Sequence, residues 1–125
     1  MACDDSRMLR TFASIALLLV TALAGAAPAR FGHFALDVPA QGFEEHCLRL
    51  EAGERIRYRF RANGELDFNI HYHRGNDVHY PVRTGAVQTA DEAFVAPQTD
   101  DYCLMWERKG AGAVRIEGSV DRVKP

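Results

Sequence analysis

The stretch FNIHYHRGNDVHY, residues 68–80, holds three of the chain's five histidines. Residues i and i+2 of a β-strand point to one face. His71 and His73 therefore share a face, with Asn69 and Asp67 beside them, while Phe68, Ile70 and Tyr72 share the other. Two imidazoles so placed can converge on an ion, and imidazole suits zinc or copper. His79, on the returning segment VHYPV, is the natural third ligand. The register of the hairpin decides whether it joins them. A three- or five-residue loop puts all three histidines on one face; a two- or four-residue loop sends His79 to the face of Tyr72. The turn residues RGND leave both parities open. The plainer reading is a polar hairpin that binds no metal; the alternative is a copper- or zinc-binding protein that sequesters or delivers the ion.

A second constellation is the run RIRYRFRAN, which places Arg55, Arg57, Arg59 and Arg61 on one strand face. Four guanidinium groups in a row could meet the anionic groups of a protein, a glycan or a lipid headgroup. The plainer reading pairs them across strands with acids such as Asp67, Glu51 or Glu117. Little else in the chain offers catalysis. Beyond the N-terminal region the only serine is Ser119, without a nucleophile elbow. The carboxylate pairs Glu44–Glu45 and Asp100–Asp101 are sequence neighbours whose side chains point apart. There is no phosphate-cradling glycine loop and no CxxC. Met105 could offer a soft copper ligand but shares its face with Cys103 and reads as packing. His33 and His46 are too isolated to assign. These observations point to a binding or interaction module with no catalytic residues.

The elements that must carry these residues alternate with period two. Ile56, Tyr58 and Phe60 oppose the arginines. Leu66, Phe68, Ile70 and Tyr72 oppose the histidines. Tyr102, Leu104 and Trp106 oppose Cys103 and Met105, and Val114, Ile116 and Val120 oppose Arg115 and Glu117. Turn chemistry at EAGE, NGE, RGND and KGAG separates the runs. No helix of ten residues is expected beyond the leader. Such a pattern predicts an all-β antiparallel β-sandwich of seven or eight strands, with Trp106 in its core. Thr84–Asp100 is the least legible segment; EAFVA, ahead of Pro97, is a short strand within it.

The N-terminal residues read differently. Arg7 and Arg10 precede the apolar run TFASIALLLVTALAGAA, which is short for a membrane span and ends in an A-x-A pattern at Ala24 and Ala26. Residues 1–26 are expected to be a signal peptide and 27–125 a single mature domain. No further apolar run could span a bilayer. The formal charge is −2, and removing Arg7, Arg10, Asp4 and Asp5 leaves it unchanged. That balance argues against nucleic acid as a partner. The expected compartment is the periplasm or the cell exterior. There, the two cysteines of the mature region, Cys47 and Cys103, read as one disulfide rather than two thiols.

The segments CLRLEAGERIRYRFRANGELDFNIHYH and DYCLMWERKGAGAVRIEGSV together resemble the GOLD (Golgi dynamics) domain, a small β-sandwich of secretory-pathway cargo receptors and some lipid-transfer proteins. The resemblance rests on Cys47 opening a strand before Gly53. It continues with Tyr58, Phe60, Gly64, Asp67, Phe68 and Ile70, then with the late strand Tyr102, Cys103, Leu104 and Trp106. It covers most of Phe43–Val123. The family's glycine before the late tyrosine is Asp101 here, and Glu107-Arg108 replaces the usual asparagine. The resemblance implies a disulfide between the positions of Cys47 and Cys103, and a non-enzymatic binding or adaptor role.

Overall fold

The computed structural model describes residues 31–125; the expected signal peptide lies outside the described residues. Six antiparallel strands make up the fold: β1 (Gly32–Val38), β2 (Gly42–Leu50), β3 (Arg55–Arg74), β4 (Asp77–Val95), β5 (Asp100–Arg108) and β6 (Val114–Arg122). Among the described residues there is no helix, and so none long and apolar enough to cross a membrane.

The sheet runs in the order β1-β6-β3-β5-β2, with β4 along the other edge of β3. β3 and β4 are long enough to serve two layers. The first half of β3 lies between β4 and β6, with Arg59 opposite both Asp91 and Ser119. Its second half lies between β4 and β5, with Ile70 opposite both Val82 and Leu104. One layer is therefore β1-β6-β3-β4 and the other β2-β5-β3-β4, four segments each, which matches the expected seven or eight. The correction concerns residues Asn63–Glu65. NGE does not reverse the chain; β3 continues through it, and its register with β4 shifts between Arg61 and Leu66. The run EAFVA, all but its last residue, likewise belongs to β4, which extends from the hairpin to Val95.

The alternating apolar residues fill the space between layers. Ile56, Tyr58, Phe60, Leu66, Phe68 and Ile70 of β3 are buried, as are Tyr102, Leu104 and Trp106 of β5 and Ile116 and Val120 of β6. Trp106 has no exposed surface and contacts Phe34, Phe60 and Phe68, ring centroids 5.2–5.6 Å apart. Aromatic pairs at such separations add to the free energy of plain burial. Phe34 passes over Gly118, the residue opposite it on β6. A Cβ at Gly118 would stand 2.2 Å from the Arg59 carbonyl oxygen and 2.7 Å from the Phe34 ring, so no larger residue fits there without movement.

Candidate functional site

The β3–β4 hairpin settles the histidine register. Arg74 pairs with Asp77 and His73 with Val78, leaving Gly75 and Asn76 as a two-residue loop. Gly75 has φ +58, which the first central residue of a tight hairpin turn requires. An even loop puts His79 opposite Tyr72, and the two rings stack with centroids 4.9 Å apart. His79 therefore sits on the face of Tyr72, away from His71 and His73. The three-histidine arrangement expected from an odd loop is not formed. His71 and His73 do lie together, ring centroids 5.2 Å apart.

The surroundings of His71 come from other strands. One register row crosses the outer face of the second layer: Cys47 of β2 opposite Cys103 of β5, and Cys103 opposite His71 of β3. Cys47 and Cys103 form the expected disulfide, their Cα atoms 3.9 Å apart. It lies outside the core, with Cys47 exposed and Cys103 half-buried. Glu45, two residues before Cys47, shares its face, and its Oε1 is 3.4 Å from His71 Nε2. On the opposite side of the imidazole, Nδ1 is 2.8 Å from Asn69 Oδ1. An amide oxygen only accepts, so Nδ1 carries the proton and donates it. Tyr80 completes the cover, its ring centroid 5.7 Å from that of His71, and Arg83 lies over Tyr80. The register shift between Ile70 and Tyr72 adds a residue to β4 here, at Tyr80-Pro81. A bulge is where a strand tolerates a proline, which has no N–H to give.

His71 is 4% exposed, and Asn69 is 8% exposed. Burial pushes the His71 pKa down; the Glu45 carboxylate pulls it back and His73 pushes it further down. Neutral His71, with Nδ1–H engaged, aims the bare lone pair of Nε2 at a carboxylate. Sequence reasoning found His71 and His73 with Asn69 beside them, but missed Glu45 and Tyr80 as their company. The one available signal was that Glu45 and Cys47 are two apart on a strand.

The arginine row divides. Arg57 grips Asp91 with two hydrogen bonds of 2.7 and 2.8 Å, which holds the Asp91 carboxyl below the usual range. Arg59 reaches Asp121 at 3.4 Å. Two of the three acids anticipated as partners are engaged elsewhere, Asp67 with Lys109 and Glu117 with Arg115. The side chains of Arg55 and Arg61 make no ion pair among the described residues. Arg59 and Arg61 border a shallow depression of about 1080 Å³ on the outer face of the first layer. Small side chains, Ala35, Thr89 and Ser119, form part of its lining, with Asp91 and Glu117 among the acids. Ser119 is buried and donates to Asp121, Asp100 pairs with Arg74, and Asp101 pairs with Arg49.

No family model matches the chain, and no curated protein sequence matches it. Solved structures do. The pre-peptidase C-terminal domain of a collagenase from Bacillus anthracis superposes with a TM-score of 0.53 at 13% identity, covering 71% of this chain and 89% of that one. PliG from Aeromonas hydrophila, a periplasmic inhibitor of g-type lysozyme, gives 0.45 at 12% identity, over 73% of this chain and 87% of its own. A de novo designed double-stranded β-helix gives 0.44 at 11% identity, over 71% and 97%. At these identities the collagenase-domain likeness establishes the fold and nothing more: the chain is an antiparallel all-β domain.

Proposed function

We propose that this is an exported, non-catalytic binding module of GOLD-like type, whose recognition surface is the depression bordered by Arg59 and Arg61. The observation that carries the reading is Arg61, a cation bordering this depression whose side chain makes no ion pair among the described residues. Export is supported by the leader pattern of residues 1–26 and by a disulfide, a bond that persists in oxidising compartments.

The charge pattern selects among anionic partners. Asp91 and Glu117 line the same depression, so it presents both signs of charge, which suits a partner of mixed carboxylates and neutral hydroxyls better than a phosphate-dense lipid surface. A uronic-acid polysaccharide suits the mixture. Its carboxylates meet Arg59 and Arg61, and its hydroxyls donate to Asp91 and Glu117. The open, shallow shape fits a chain lying along the sheet. The test is an NMR titration of 15N-labelled protein with a uronic-acid oligosaccharide and a neutral one of equal length. Amides of Arg61, Thr89, Gly118 and Ser119 should shift with the acidic sugar only. Arg61→Ala should weaken binding roughly 10- to 100-fold, the loss of one charge-assisted contact of about 1.5–3 kcal/mol. Equal shifts with the neutral sugar, or none with either, would end the glycan reading, and shifts confined to anionic vesicles would replace it with a lipid headgroup.

A further inference from the structure

The outer face of the second layer holds a second grouping that the glycan reading does not use. Ligand atoms of Glu45, His71 and Cys103 lie within 4.8 Å of one another. Cys47 is the residue directly opposite Cys103. One imidazole nitrogen, one carboxylate oxygen and the Cys103 sulfur thus come together from three adjacent strands, with the Cys47 sulfur bonded to that of Cys103. The imidazole is already oriented as a metal-bound one would be. Its distal N–H is committed to an amide oxygen, Asn69 Oδ1, and its free lone pair looks toward Glu45 and the bridge. Among the described residues no arginine or lysine ion pair involves Glu45; the arginine and lysine pairs that do form lie elsewhere.

We propose that opening the Cys47–Cys103 bridge creates a zinc site formed by both thiolates, His71 Nε2 and the Glu45 carboxylate, and that closing the bridge abolishes it. The step is a two-electron exchange. A dithiol reductant attacks the exposed Cys47 side, becomes a disulfide itself, and leaves Cys47 and Cys103 as thiols. Zn²⁺ then displaces the two thiol protons and bonds both sulfurs, the neutral imidazole and the carboxylate. Two sulfurs, a nitrogen and an oxygen make a tetrahedral set suited to zinc. Bonds of about 2.0–2.3 Å imply ligand separations of roughly 3.5 Å, so the side chains must close in by about 1 Å. The exposed Glu45 side chain and the freed thiols can supply that movement. In the oxidised protein both sulfurs are bonded to each other, and two ligands remain.

The experiment is a Zn²⁺ titration against a chromophoric chelator, with the full domain either oxidised or reduced by a phosphine, whose product does not compete for metal. Reduced protein should take one equivalent at least 100-fold more tightly than oxidised protein. Co²⁺ in place of Zn²⁺ should give thiolate charge-transfer absorption with tetrahedral ligand-field bands. Glu45→Gln, at an exposed position, should weaken binding about 10-fold, and Asn69→Ala by the roughly 10–100-fold typical of a lost orienting partner. His71→Ala is buried and could fail to fold, so the Glu45 variant and the cobalt spectrum bear the decision. If the reduced chain unfolds, zinc should refold it with the same stoichiometry. Equal affinity in both redox states overturns the proposal. So does a cobalt spectrum without thiolate bands, or a reduced chain that neither binds nor refolds.

Discussion

Replacing both cysteines, Cys47→Ala with Cys103→Ala, isolates what the bridge contributes to stability. The cross-linked residues are 56 apart in sequence. In the chain-entropy description the closed loop removes about 14 cal/mol/K from the unfolded ensemble, or about 4 kcal/mol at 25 °C. The packing contribution is small, because the bridge lies outside the core and Cys47 is exposed. For a domain of about 95 residues, unfolding entropy near 2.1 cal/mol/K per residue converts that loss into a fall in Tm of roughly 20 °C. A net stability of about 5–15 kcal/mol survives such a loss only in part. The assay is urea unfolding of the oxidised parent and the double variant, followed by tryptophan fluorescence, since Trp106 is fully buried. The slope m should rise in the variant, because the uncross-linked unfolded chain exposes more surface. A loss under about 1 kcal/mol with unchanged m would refute the loop-entropy argument.

Other consequences follow from single residues. Gly118→Ala forces a methyl group against the Arg59 carbonyl oxygen and the Phe34 ring; overpacking of this kind costs about 1–3 kcal/mol, read by denaturant midpoint. His71, buried first and paired second, titrates below the usual histidine range in the oxidised, metal-free protein. The unfolded chain then binds the proton more readily than the folded one. Its stability contribution is complete above about pH 6.5 and is lost as pH falls through that value toward the folded midpoint; His71→Gln should flatten this slope, and an unchanged slope would assign it to another group. Among the described residues β4 bonds to β3 alone, so alternate amides along its other edge should exchange with deuterium fast. Uniform protection would mean that another chain covers that edge.

The period-two pattern located the buried faces of β3, β5 and β6 because those strands have one wet face and one dry one. It did not mark where β3 stops. Asn63-Gly64 between alternating runs is a strong hairpin signal, and only the long-range exchange of β6 for β5 along one edge of β3 turns it into a corner. β4 was illegible for a related reason. Of its nineteen residues only Phe94 is buried, so no alternation of apolar and polar types was needed there. At the histidine hairpin the facing of His71 and His73 could be read, because it depends on spacing within one strand. The loop parity could not, since RGND permits both. Nor could the burial of His71, which Glu45, Tyr80 and the disulfide supply from three other strands.

The unbroken course of β3 through both layers has an arithmetic consequence. From Arg55 to His71 the odd-numbered side chains face outward and the even-numbered ones inward, without a change of phase at the corner. The four arginines and both histidines therefore belong to one odd-numbered row. A single residue inserted between Asn63 and Glu65 would invert that phase for everything downstream, carrying Phe68 and Ile70 to the surface and His71 into the core. Two inserted residues would restore it. Length variation at this corner should be tolerated in pairs and not singly, a parity rule that binds the two surfaces together although they share no contact.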